Sequence, residues 1–137
     1  MFAGAGSFHS DLSKWDVGSV VNMASMFNGS SFFGGDLSGW NVANVEFMDS
    51  MFESVFFFDS DISSWNVSNV KSMTSMFKYA ISFNQSLCEW GQLLLEPGVV
   101  NVTEIFAASG CANTTEPSFA ADSTTSGPWC QICNGSY

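Results

Sequence analysis

The sequence predicts an α/β solenoid: short parallel strands and short helices stacked coil upon coil, closed by a disulfide-braced C-terminal cap. Three observations predict it. Met-Phe recurs at Met1-Phe2, Met26-Phe27, Met51-Phe52 and Met76-Phe77. Trp15, Trp40, Trp65 and Trp90 keep the same step, as do Phe8, Phe33, Phe58 and Phe83, so three series advance by 25 residues without a slip. The cysteines, Cys88, Cys111, Cys130 and Cys133, gather where that regularity decays. A fixed period of this size marks a repeat architecture, in which each copy buries its apolar side against its neighbours.

Each copy divides into two expected elements. Residues 12–17, 37–42 and 62–67 alternate apolar and polar side chains, with Trp15 and Val17 on one side and Lys14 and Asp16 on the other, and predict a strand. Val20, Met23 and Met26-Phe27 then recur at three- and four-residue spacing, repeated at Val45, Met48, Met51-Phe52 and at Val70, Met73, Met76-Phe77. That spacing predicts a helix of two or three turns. Ser19, Asn44 and Asn69 stand at its N-cap, and Asn28-Gly29 at its end. The aromatic and Met columns read as core, with Trp over Trp and Phe over Phe, rather than as a cofactor box.

The copies start near residues 1, 26, 51 and 76, and the repeat runs to residue 106. The fourth copy breaks pattern after Leu87-Cys88: Ile105 stands 29 residues after Met76, four more than the period. Residues 107–137 lose periodicity, turn rich in Thr, Ser, Pro and Cys, and are expected to cap the last coil. The chain opens inside a repeat with no capping segment, and either preceding sequence or another subunit is expected over that face. Met1 falls on the repeat's own Met position and no signal peptide is visible, which fits a mature secreted chain or a segment of a longer one.

Composition narrows the function. With 46% hydrophobic and only 12% charged residues, the chain is too apolar for disorder. Its apolar runs are far shorter than the ~20 residues of a membrane span. A net charge of −10, with Lys14, Lys71 and Lys78 the only cations, argues against nucleic acid and anionic membranes. Four clustered cysteines point to disulfides in an oxidising compartment. Asn-X-Ser/Thr sequons at Asn28, Asn66, Asn84, Asn101, Asn113 and Asn134 point the same way, and predict an extracellular glycoprotein.

The residues also resemble a known family. Met-Phe, Phe, Asp-Leu/Ile-Ser, Trp-Asp/Asn-Val, Val and Met, in that order, are similar to the BspA-like surface-protein repeats, leucine-rich-repeat-like units of bacterial surface lipoproteins and of secreted microalgal proteins. The ending resembles the microalgal type in Leu87-Cys88-Glu89-Trp90-Gly91, Ser109-Gly110-Cys111 and Gly127-Pro128-Trp129-Cys130. The resemblance implies a right-handed, leucine-rich-repeat-like solenoid outside the cell, often in adhesion, with no catalytic residues. The sequence departs from the family at Val55 and Phe56, where a small residue is usual, so a wider groove or a contact patch is expected there.

No catalytic constellation competes with this reading. His9 is the only histidine and sits in a variable loop position, so the sequence assembles no Ser/His or Cys/His pair around it. Cys130-x-x-Cys133 lacks the βαβ setting of a redox motif, and structural disulfides are expected instead, with Cys88–Cys111 and Cys130–Cys133 the favoured pairing among three. Asp11, Asp36 and Asp61 form an acidic column whose simpler reading is turn capping and whose alternative is a shared Ca²⁺ ion. No cofactor is expected. The function expected is that of a non-enzymatic extracellular structural protein that associates head-to-tail with copies of itself into a filament. The alternative is an adhesion module that binds a glycan or surface protein on its face.

Overall fold

The computed structural model describes residues 1–94, 100–119 and 126–133. Among these residues, regular secondary structure amounts to a six-residue helix, α1 (Cys88–Leu93), and two paired two-residue strands, β1 (Ser118–Phe119) and β2 (Ser126–Gly127). The expected α/β solenoid is therefore corrected: neither the repeated strands nor the repeated helices form. The 25-residue period instead builds a stack of coils made of turns, stitched by isolated parallel bridges Asn22–Phe47, Phe47–Ser72 and Ser72–Asn101.

Short polar side chains are the reason that no strand forms at 12–17. Asp11 Oδ1 accepts the Ser13 N–H at 2.9 Å and the Leu12 carbonyl accepts the Trp15 N–H at 3.0 Å, which closes one turn. Asp16 Oδ1 then accepts the Gly18 N–H at 3.0 Å and the Val17 carbonyl accepts the Val20 N–H at 3.0 Å, which closes a second. Asp36 and Asn41, then Asp61 and Asn66, repeat the pair in the following coils. A side-chain oxygen that satisfies the N–H two residues on holds the backbone in a turn and removes it from any ladder. Leu12 and Val17 point inward, as do Leu37, Trp40 and Val42 in the next coil, but Trp15, expected on the same side as Val17, is 43% exposed.

The helix fails for a related reason. From Met23 to Ser30 the backbone donors alternate between the next coil and the local chain, where Ala24 gives its N–H to Asn22 Oδ1. Met23, Ser25, Phe27 and Gly29 give their N–H to Phe47, Asp49, Met51 and Glu53 of the next coil, while Met26, Asn28 and Ser30 give theirs to carbonyls three residues back. An α-helix sends every N–H to the fourth residue back, so this ladder and a helix exclude one another. Ser25, Ser50 and Ser75 adopt φ of 58°, 53° and 55°, which interrupts helical winding once per coil. Ser19, Asn44 and Asn69 accordingly cap no helix: Asn44 and Asn69 donate their Nδ2 to the Gly18 and Ala43 carbonyls of the preceding coil, both at 2.7 Å. Gly29, with φ +74°, turns the chain within the coil rather than ending a helix.

Two phenylalanine columns fill the interior. Phe2, Phe27, Phe52, Phe77 and Phe106 stack with centroids 5.6–5.7 Å apart. Phe8, Phe33, Phe58 and Phe83 form the second column, and within each coil the paired rings lie about 4.0–4.3 Å apart. Trp40, Trp65 and Trp90 run beside them, each donating Nε1 to the carbonyl 28 residues earlier, that of Leu12, Leu37 and Ile62. Burying a large aromatic contributes roughly 1.5–3 kcal/mol before entropy.

In the fourth copy α1, which begins at Cys88, stands where the earlier coils make their Asp and Asn turns, and the four-residue excess falls after Trp90. The cross-coil bonds nevertheless continue beyond it, from Tyr79 to Ala107 and from Gly110 to Ala80. A Cβ on Gly110 would lie 2.2 Å from the Ile81 carbonyl oxygen, so only glycine allows this approach. Trp129 closes the stack, edge-on to Trp90 and Phe106 and fully buried.

All four cysteines are paired, but not as expected: the bonds are Cys88–Cys133 and Cys111–Cys130. Chain threading dictates this. The Leu87 N–H donates to the Trp129 carbonyl at 3.1 Å and the Asn113 N–H to the Cys130 carbonyl at 2.8 Å, so residues 129–133 lie between the two earlier cysteines. Cys130 then meets Cys111, and Cys133 meets Cys88. Peptide mapping of the oxidised protein without reductant is expected to recover these two cross-linked pairs, and recovery of a Cys88–Cys111 peptide would refute the threading.

The tryptophan column supports a second prediction. Trp65→Phe removes a buried donor and indole volume, and should lower unfolding free energy by about 2–4 kcal/mol. Trp15, 43% exposed and without that cross-coil bond among the described residues, should tolerate the same change at under about 1 kcal/mol. Urea titration of both variants checks the contrast, which equal losses would contradict.

Candidate functional site

Three surface features emerge from the stack. The first is the acidic column. Asp11, Asp36 and Asp61 each cap a turn through the Ser two residues on. The Ser13 and Ser38 hydrogen bonds hold the Asp11 and Asp36 carboxyls below their usual range. Among the described residues no three His, Cys, Asp or Glu side chains gather closely enough to hold a metal ion. His9 is exposed, its ring Nδ1 bonded to the Ser7 carbonyl at 2.7 Å. Two of the three lysines are engaged, Lys71 with Glu46 and Lys78 with Glu104, each at 2.7 Å, so the surface field is negative.

The second feature is an apolar strip on the outside of the coils. Phe32 and Phe57, 59% and 57% exposed, stack on each other with centroids 5.3 Å apart. Phe56 and Ile81 stand in the neighbouring column, one position earlier in consecutive copies, and are also exposed. Backbone bonds fix the strip: Phe32 N–H donates to Gly6 and Phe56 N–H to Ser31. Of the two unusual residues at 55 and 56, Val55 turns inward and is fully buried, and only Phe56 joins the surface. Phe32, Phe57 and Ile81 were not singled out by the sequence. The available signal is the doubling Phe32-Phe33 and the run Val55-Phe56-Phe57-Phe58, since a turn buries only some of any consecutive apolar residues.

The third feature is an open groove of about 640 Å³ between the third coil and α1. Ser63, Ser64 and Asn66 line one side and Glu89, Gln92 and Leu93 the other. Asn66 is held by its own turn, where Oδ1 accepts both the N–H and the hydroxyl of Ser68. A smaller hollow of about 270 Å³ lies at the first coil, beside Met1, Trp15 and Met26.

The sequons scatter over the molecule. Asn66, Asn84 and Asn101 are exposed, and Asn28 and Asn113 half-buried. Asn101 repeats the geometry of Asn66, with Oδ1 accepting the Thr103 N–H and hydroxyl. Asn84 is drawn into the cap, where its Oδ1 accepts the Ala112 N–H at 3.0 Å. Asn134 lies outside the described residues. No helix among the described residues is long and apolar enough to cross a membrane.

Residues 1–116 match the family model described as Mycoplasma protein of unknown function, DUF285. The chain belongs to this family, which is consistent with the BspA-like repeat resemblance of its motifs. No curated protein and no solved structure matches the chain.

The Asp caps carry a pH prediction. A carboxyl whose folded pKa is lowered adds stability that is complete above its unfolded value, near pH 4, and is lost as pH falls through the folded value. The double change D11N/D36N keeps an Oδ1 acceptor, as Asn41 and Asn66 do in the same turn. Its melting temperature at pH 7 should stay near that of the parent, and its decline below about pH 4 should be shallower. Thermal melts between pH 7 and 2 check this, and parallel acid limbs would contradict it.

Proposed function

We propose that this protein is a non-enzymatic extracellular structural protein, a glycosylated repeat stack of the microalgal secreted type, that associates with copies of itself. The observation that carries this reading is the strip formed by Phe32, Phe56, Phe57 and Ile81. Its exposed apolar area is on the order of 400 Å², at the scale at which patches on soluble proteins become interaction sites. A second copy is the favoured occupant because it carries the same repeat spacing, so ring edges on one strip meet gaps at matching intervals on the other. Such a contact is isologous and closes as a two-fold pair.

End-to-end growth into a filament needs a repeat-like face at both ends. Trp129 and the two disulfides cover the C-terminal one, and side-by-side pairing is accordingly the mode of association that the geometry favours. The disulfides are compatible with an oxidising, extracellular setting, and the cap motifs 87–91, 109–111 and 127–130 support the microalgal type. The exposed sequons Asn66, Asn84 and Asn101 are the best placed of the described ones to carry glycans. The second reading is recognition of a glycan or surface protein, favoured by the groove beside α1, where Ser63, Ser64, Asn66, Glu89 and Gln92 stand among apolar surface.

Sedimentation equilibrium tests the pairing. A net charge of −10 on each copy opposes association, so dimer should increase as salt rises from about 20 to 500 mM and the Debye length shrinks. Phe57→Ser should weaken the dimer at least tenfold, from the loss of roughly 1.5–3 kcal/mol per buried ring. A monomer at every salt concentration would overturn the reading.

A further inference from the structure

We infer that the groove between the third coil and α1 is a binding site for a neutral saccharide. This deepens the recognition reading and is independent of self-association. The groove exists because the fourth copy departs from the repeat: α1 stands where the earlier coils make their Asp and Asn turns, and its exposed Glu89, Gln92 and Leu93 form a second wall opposite residues 63–68. Its volume, about 640 Å³, falls within the ~300–1,000 Å³ of small-molecule sites.

The groups on its walls select the ligand. Ser63 and Ser64 hydroxyls, Asn66 Nδ2, the Glu89 carboxylate and the Gln92 amide make no hydrogen bond to any other described residue, so all are available to a ligand. The Asn66 amide is also pre-aimed. Its Oδ1 is engaged twice by Ser68, which leaves Nδ2 as a donor in fixed orientation, and a donor that is already ordered loses less entropy on binding. Donors and acceptors therefore face each other across the groove, with the 44% exposed Leu93 adding an apolar edge. A sugar ring presents that combination: hydroxyls around its rim, an aliphatic face, and vicinal hydroxyls that suit the two oxygens of one carboxylate. Glu89 and the net charge of −10 repel acidic sugars, sulfates and phosphates. One carboxylate among several neutral groups gives too little charge to favour a polycation over a polyol.

Asn66 is also a sequon asparagine, so the saccharide has two sources: a free oligosaccharide, or the first residues of a glycan on Asn66 itself. In the second case Nδ2 carries the glycosidic bond, and Ser63, Ser64, Glu89 and Gln92 remain to meet the hydroxyls of the sugar.

The test is ¹⁵N NMR titration of the oxidised full chain, produced in a bacterial periplasm and hence unglycosylated, with chitobiose, lactose and, as an acidic control, 3′-sialyllactose. The expected result is saturable shifts of residues 63–68 and 89–93 with a neutral sugar, at least tenfold weaker binding in Glu89→Ala and in Gln92→Ala, and no saturation with sialyllactose. The spectra of the variants themselves report that they fold. Saturable shifts confined to other faces would overturn the groove and leave the recognition reading standing. Absence of saturation with either neutral sugar would overturn the groove, and retained binding of the unglycosylated chain to cells whose surface glycans are intact would still uphold recognition. A second arm uses chain from a glycosylating eukaryotic host. If Asn66 is glycosylated, the resonances of residues 89–93 on the opposite wall should already sit near their chitobiose-bound positions and move back toward the free ones on enzymatic glycan removal, which assigns the site to the protein's own glycan. If Asn66 is unmodified and chitobiose or lactose saturates the groove, the site takes a free ligand.

Discussion

Every other feature of this molecule depends on where the backbone donors of each coil go. Along residues 25–30 they are shared between the next coil and a carbonyl three residues back. Neither destination alone makes a fold: the local bonds would give isolated turns, and the cross-coil bonds would leave half the donors unsatisfied, at a cost of about 1–3 kcal/mol each when buried. Together they hold successive coils in a fixed register. The phenylalanine columns follow, because rings one period apart can stack only if the register never drifts.

The regularity of the core is the part that the sequence showed best. The 25-residue period, the inward Phe, Trp and Met positions and the disruption after Cys88 are all readable from residue spacing. Local conformation was not. Val20, Met23 and Met26-Phe27 have a helical spacing, yet overlapping turns that recur every second residue place the same side chains inward. Hydrophobic periodicity reports which side chains are buried, and two backbones that bury the same ones give the same pattern. The decisive signals were Ser25 and its equivalents, whose left-handed φ no serine announces, and the Asp and Asn columns. Turn capping was the simpler reading of Asp11, Asp36 and Asp61 and is the work they do, and Asp16, Asn41 and Asn66 close a second turn in each coil.

The disulfides mark a different limit. Cys88–Cys133 joins positions 45 residues apart, across a cap with no repeat to index it. Sequence proximity favours Cys130 with Cys133, but those two lie on a short bridged segment that passes between the other two cysteines. Connectivity here follows the path of the chain over the end of the stack, which only three-dimensional threading supplies. The same threading seats Trp129 on Trp90 and Phe106, where it replaces the aromatic neighbour that a further coil would have provided.

A perfectly periodic stack is poorly suited to selective recognition, because each coil offers the same wall as the last. The surface features of this protein lie where periodicity lapses. Phe57 repeats Phe32, but the following copy has Ser82 in that position, so the stacked pair has a defined end. The groove appears only where α1 displaces the fourth coil, and the Asx turn that elsewhere just shapes the wall there orders a donor toward an opposing helix. The repeat supplies rigidity, and its departures supply addresses on the surface. Six residues of helix, Cys88–Leu93, replace a turn common to three coils, and that one exchange gives the groove its second wall.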